Sequence, residues 1–340
     1  MVDVRLPAAA IEVVGGTADQ AKVAGTEAFR IQAVRWPVFE GVFGEGLLLQ
    51  PRTNVVARII AIPDADQTPE MLCGLAPGLA AERQFARRLA ENGCEVLVPA
   101  LIDRQTDWSG IASLNSIASQ PHREWIDRLA VPFGRRVIGY EVQKVLAAVD
   151  SLQTSPVKTG VVGYGEGGLI AFCAAALDPR IESALVSGWF DSRRRMWEEP
   201  PSRNLFGLLP EFGDAETATL IAPRSLTVEY SAAPIGGKPP KLGAPDYESV
   251  EAEFQRARAL LKAGNPKDFD RLNLISGAEG MMTGPGSDRA LVALLNGLGV
   301  PIEQVLQPGQ PPAAAGTLPD PARQRRQIEQ LETFTLKLAR

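Results

Sequence analysis

Gly163-Tyr164-Gly165-Glu166-Gly167-Gly168 lies between the apolar run Val157-Lys158-Thr159-Gly160-Val161-Val162 and the Ala-rich segment ending at Leu177. The β-branched run reads as a strand and the Ala-rich segment as a helix, so the glycines mark a tight strand-to-helix turn. Gly165, at the middle of that turn, lacks the Cβ that makes strained backbone costly, a difference of roughly 1–3 kcal/mol. The turn presents the N–H of Glu166 and the first turn of the helix as donors at a positive dipole end, which suits a carboxylate or another anionic group.

The elements around the turn alternate between strand and helix. Phe29 to Val38, Gly46 to Gln50 and Val55 to Ile62 read as three successive strands. Pro77 to Asn92 has helical spacing and stops at Gly93, and Cys94 to Ile102 is the next strand. Residues 103–135 are less regular, hold Trp108, Trp125 and the sole histidine, His122, and are expected to form a lid or insertion. From Val137 to Leu152, Ile138, Val142, Val145, Val149 and Leu152 recur at three- and four-residue steps, an amphipathic helix that leads into the strand before the turn. Beyond it, Ile181 to Phe190, Ser225 to Tyr230 and Arg271 to Ser276 read as strands, with helices at Tyr247 to Lys262 and Asp288 to Leu298. This alternation predicts an α/β fold, a mainly parallel sheet with helices on both faces.

The expected organisation is a loose N-terminal arm over 1–25 and an α/β domain over 26–306. A Pro/Ala-rich linker follows over 307–321, then an amphipathic helix over 322–340. Ile328, Leu331, Phe334 and Leu338 form a stripe on that helix, which needs the domain, a protein partner or a following domain of a longer protein to cover it.

With 340 residues, 45% of them hydrophobic, the chain can bury a large core. A net charge of −5 gives no electrostatic footprint for nucleic acid, and Arg193-Arg194-Arg195 is followed at once by Glu198 and Glu199. Cys73, Cys94 and Cys173 are widely spaced, so neither a disulfide framework nor a metal site is expected, and no cofactor is called for. No apolar run is long enough to span a membrane, and Met1 to Gly16 carries no secretory leader pattern. The expected location is cytoplasmic, or exported after processing.

The motif, with the order of elements around it, resembles the α/β-hydrolase superfamily, nearest its dienelactone hydrolase and acetyl xylan esterase-like branch, over roughly residues 30 to 300. The resemblance implies a three-layer fold and a nucleophile at position 165, where this chain has glycine. It places an acid beyond the strand Ser225 to Tyr230, where Glu229 is the one acidic residue nearby and lies within the strand. It places a histidine after the last strand, where the sequence reads Ser276-Gly277-Ala278-Glu279-Gly280-Met281. His122 precedes the turn, the wrong order for that arrangement, and reads as a structural polar residue.

The expectation is therefore a hydrolase fold without its hydrolytic groups, acting as a binding or scaffolding domain. Tyr164, Gly165, Glu166, Asp64 and Asp191 are the candidates for contact with a small anionic or ester-like ligand. Asp64 and Asp66 fall in the loop where the resemblance would complete an oxyanion hole, and their charge would oppose one; both also read as loop or cap residues. Two alternatives remain. One is ester hydrolysis by non-standard groups, such as the carboxylates of Asp103, Asp191 and Glu279. The other is dinucleotide binding, since Gly163, Gly165 and Gly168 also satisfy G-x-G-x-x-G, although the acidic residue after the next strand, Asp191, lies further along than that fingerprint requires.

Overall fold

The computed structural model describes residues 4–14, 22–111, 116–117, 119–153, 156–205, 207–234, 245–264, 270–302, 304, 308–314, 320 and 322–338. Its first elements are strands: β1 (Glu12–Val13), β2 (Lys22–Gly25), β3 (Phe29–Phe39), β4 (Val42–Pro51) and β5 (Ala57–Ile62). There follow α1 (Pro69–Leu72), α2 (Phe85–Glu91), β6 (Cys94–Pro99), the small hairpin β7 (Gly110–Ile111) and β8 (Ser116–Ile117), α3 (His122–Ala130) and α4 (Val137–Leu152). The second half holds β9 (Thr159–Tyr164), α5 (Glu166–Leu177), β10 (Ile181–Ser187), α6 (Asp214–Thr219), β11 (Ser225–Glu229) and α7 (Tyr247–Gly264). It closes with β12 (Leu272–Ile275), α8 (Asp288–Gly297), β13 (Ala313–Ala314) and α9 (Arg323–Lys337).

One sheet carries the fold, in the order β12-β11-β10-β9-β5-β6-β4-β3-β2-β13. Neighbours from β12 through β6 are parallel, while β4, β3, β2 and β13 join antiparallel. The central strand β5 is buried at every position because both its faces are covered, as expected of a parallel strand between helical layers. Ile60 and Ile62 enter the core beneath α4, α5, α6, α7 and α9, and Ile59 and Ala61 enter the core beneath α1, α2 and α8. Helix α5 is apolar nearly all round and packs on β9, β10 and α4, which places its first turn at the sheet's centre.

The segment expected as a loose arm adds to the sheet edge, since β1 and β2 both pair with β3. The expected helix over 77–92 starts only at Phe85, because Gly74 and Gly78 hold positive φ and residues 81–83 make a single tight turn. The strand expected to reach Phe190 stops at Ser187, where Gly188 turns the chain at φ +65°. Much of the expected linker, including 315–319, lies outside the described residues, and Ala313–Ala314 pairs with β2. Among the described residues no helix is long and apolar enough to cross a membrane.

The apolar stripe of α9 is covered by the chain itself. Phe334 stacks on Phe39 with ring centroids 4.9 Å apart, and Ile328 and Leu331 are buried. Polar contacts fix the register: Arg323 forks onto Glu70 at 2.8 Å, Lys144 donates to Gln327 at 2.6 Å, and the Tyr140 and Thr335 hydroxyls are 3.0 Å apart.

Candidate functional site

Gly165 adopts φ +57°, ψ −115°, a conformation that side chains resist, and its N–H donates to the carbonyl of Ser187 at 3.0 Å. The neighbouring glycines allow the helix to approach the strands. A Cβ on Gly163 would lie 1.9 Å from the Gly167 carbonyl oxygen, and one on Gly167 would lie 2.3 Å from the carbonyl oxygens of Ile62 and Pro63. Close packing of α5 on β9 and β5 therefore accounts for the glycine pattern.

The space above Gly165 is occupied. A Cβ there would meet Pro234 Cγ at 2.3 Å and Asp64 Oδ1 at 2.6 Å. That same Oδ1 accepts the N–H of Glu166 at 2.9 Å, so the carboxylate of a fully buried Asp64 caps the first turn of α5 from another loop. The anion that the helix start favours is supplied by the protein.

Asp64 is one end of a buried charge network. Arg104 reaches Asp64 Oδ2 at 2.7 Å, Asp66 at 2.9 Å and Glu166 Oε2 at 2.9 Å. Arg203 donates to Glu166 Oε2 at 2.6 Å and Arg123 to Glu166 Oε1 at 2.9 Å. Arg123 also forks onto Glu141, which accepts the N–H of Ile102. Burial alone would push the Glu166 carboxyl up, but the guanidiniums of Arg123, Arg203 and Arg104 outweigh it and hold the group far below the usual carboxylate range. Burial opposes the charge of Arg104 and Arg123 too, and the facing carboxylates raise both above the usual arginine value. The network ties the ends of β5 and β6 to α3, α4, α5 and the 201–203 turn.

The other candidates divide. Tyr164 donates its hydroxyl to the Ala232 carbonyl at 2.9 Å, and burial, with Asp64 nearby, pushes the phenol up to about 12, so it is neutral and engaged. Asp191 belongs to a separate cluster: its Oδ1 accepts from Ser249 Oγ at 2.5 Å and from Ser192 N at 2.7 Å, and its own N–H donates to Asp214. It lines a cleft of about 520 Å³ together with Arg203, which connects that cleft to Glu166. Ala278 and Glu279 form an exposed turn beyond β12, with Glu279 at φ +53°.

Glu229, the last residue of β11, is buried. It accepts the N–H groups of Gly286 and Ser287, both at 2.8 Å, and the Ser187 hydroxyl at 2.7 Å. Backbone donors from the loop before α8 thus hold the acid. His122 Nδ1 lies 2.5 Å from Asp103, and its Nε2 accepts the N–H of Trp108 at 2.9 Å, so both ring nitrogens serve to pin the 103–108 loop. Asp103, Asp191 and Glu279 each have separate surroundings, and no hydrogen bond joins any two of them among the described residues. No group of three or more candidate metal ligands occurs among the described residues.

Sequence reading passed over Arg104, Arg123, Arg203 and Glu141. They come from four separate segments, so no spacing marks them; the one signal was the unneutralised acid pair Asp64 and Asp66 beside Glu166's turn.

The model of the dienelactone hydrolase family matches residues 70–192, from α1 through the turn after β10. No curated protein matches the sequence. Among solved structures, a Bacteroides fragilis protein described as a candidate acetyl xylan esterase superposes with a TM-score of 0.57 at 14% identity, covering 85% of this chain and 77% of that one. A glucuronoyl esterase from Solibacter usitatus gives 0.54 at 14% identity, with 88% of each chain covered. At such identities the likeness concerns architecture. The mainly parallel sheet with its helical layers agrees with it, and the chain has the α/β-hydrolase fold.

Proposed function

We propose that this protein is a binding or scaffolding domain built on the α/β-hydrolase fold, without serine-hydrolase chemistry. The observation that carries the reading is the Asp64 carboxylate, 2.9 Å from the Glu166 N–H and closing the space over Gly165 with Pro234. In a hydrolase of this fold the N–H after the nucleophile stabilises a developing oxyanion. A fixed carboxylate at that donor opposes such a charge. The acid at the end of β11 is held by backbone N–H groups, and His122 is held by Asp103 and Trp108, so neither is poised to activate a nucleophile or water at position 165.

Both structural neighbours carry esterase names, which makes a small or carbohydrate ester the ligand class to try first. Dinucleotide binding at the glycine turn is disfavoured: packing accounts for the glycines, and Asp64 would repel a pyrophosphate at the start of α5.

The test is hydrolysis of a panel of small acyl esters and acetylated sugars by purified protein, beside a Gly165→Trp control, together with a serine-directed phosphonate probe. The expected outcome is no turnover above the control and no labelling. Stoichiometric labelling, or turnover abolished in the control, would overturn the proposal.

A further inference from the structure

The sheet ends at β12, which pairs with β11 and has no strand on its other side among the described residues. The pairing with β11 fixes which backbone groups remain outside it. The Ile275 carbonyl accepts the Tyr230 N–H at 2.9 Å, so Ile275 and, two residues earlier, Asn273 turn their backbone groups toward β11. Leu272, Leu274 and Ser276 turn theirs away from the sheet. Arg289 takes the Ser276 carbonyl at 3.2 Å, while Leu272 and Leu274 have no hydrogen bond on that side among the described residues.

An open strand edge is a template for pairing with another chain, and folds blunt it with proline, a bulge or an inward-pointing charge. Leu272-Asn273-Leu274-Ile275 has none of these and follows β11 without a register shift. On its α8 side lies an open cavity of about 490 Å³, bordered by Asn273, Val292, Ala293 and Asn296, which leaves room for the side chains of an added strand.

Charges at the two ends of the strand select the partner. Asp270 and Arg271 are exposed just before it, and Asp288 and Arg289 border the same cavity, with Arg289 held at the strand's far end by Ser276. A second copy related by a two-fold axis runs antiparallel, so the start of each strand meets the end of the other. Asp270 of one copy then faces Arg289 of its partner at both ends of the contact, and Arg271 is balanced by Asp288. Asp270 makes no ion pair of its own among the described residues.

We infer that β12 pairs antiparallel with β12 of a second copy of this chain, joining two sheets into one. Matching the free groups sets Leu272 opposite the partner's Leu274, where both bonds are exchanged. Asn273 then lies on the axis opposite its own copy, the two Cα atoms roughly 4.5 Å apart. The inference does not depend on whether position 165 is inert.

Sedimentation velocity of the full chain, from about 1 to 200 μM, tests it, and a concentration-dependent dimer is expected. Leu274→Pro removes an N–H that β11 does not use, so it should weaken the dimer at least about ten-fold. Arg289→Asp and Asp270→Arg each set like charges together at both ends and should each weaken it about ten-fold, while the double variant returns to within about three-fold of wild type. Asn273→Cys should give a disulfide-linked dimer on mild oxidation, which the wild type does not. If Leu274→Pro fails to fold, the variants at the exposed Asp270 and Arg289 decide. A monomer throughout the range, a dimer that the charge reversals leave unchanged, or a double variant that does not recover would overturn the assignment.

Discussion

At position 165 the backbone and its surroundings act in the same direction. Gly165→Ser adds a Cβ at positive φ, between Pro234 and Asp64, so it should lower stability by about 2 kcal/mol in urea denaturation and restore no ester turnover. Asp64→Ala should cost more, about 3 kcal/mol, because it removes one of the three carboxylates around the largely buried Arg104 and leaves the Glu166 N–H without its partner. Glu166 gives a pH signature. Its folded pKa lies far below the roughly 4.3 of an unfolded glutamate, so the stability it contributes is complete above that value and is lost as pH falls toward the folded pKa. The stability difference between wild type and Glu166→Gln should therefore shrink steadily below about pH 4. A difference that stays constant down to pH 2 would show that the guanidiniums do not hold this carboxylate.

Among the elements, α9 makes the clearest demand. Its contacts with Phe39, Tyr140, Glu70 and Lys144 predict that removing residues 322–340 exposes core and yields protein that aggregates or melts well below the full chain. Lys144, beneath this helix, is pushed down to about 8 by burial, against the pull of Glu141 and Glu45. Its folded pKa lies below the unfolded value of about 10.4, so the unfolded state binds more protons between those limits and the lysine's contribution to stability rises with pH there. Lys144→Met should remove that rise, and comparing the two melting temperatures from pH 8 to 10.5 checks it. The stripe that placed a helix near 322–340 was readable in sequence because its period is local. Its polar register was not, since Arg323–Glu70 and Gln327–Lys144 join residues far apart in the chain.

For the whole molecule, the alternation of β-branched runs and helical stripes was enough to read a parallel α/β sheet, and the glycine turn placed its centre. The edge was less legible: β1 and β2 are two and four residues long, too short to show a strand period, and only their pairing with β3 makes them strands. The same limit applies to the site. Asp64 could be suspected from its position, whereas its fixing by Arg104 depends on three loops meeting above the sheet.

The cap that Asp64 places on Glu166 also bears on how such a protein can change over generations. A serine at 165 would meet the carboxylate and Pro234, and loss of Asp64 alone would remove the partner of the Glu166 N–H. On the proposed reading, a lineage with this arrangement would need several coordinated replacements, each unfavourable on its own, to place a serine-hydrolase centre at position 165, so the cap would work as a ratchet against that chemistry.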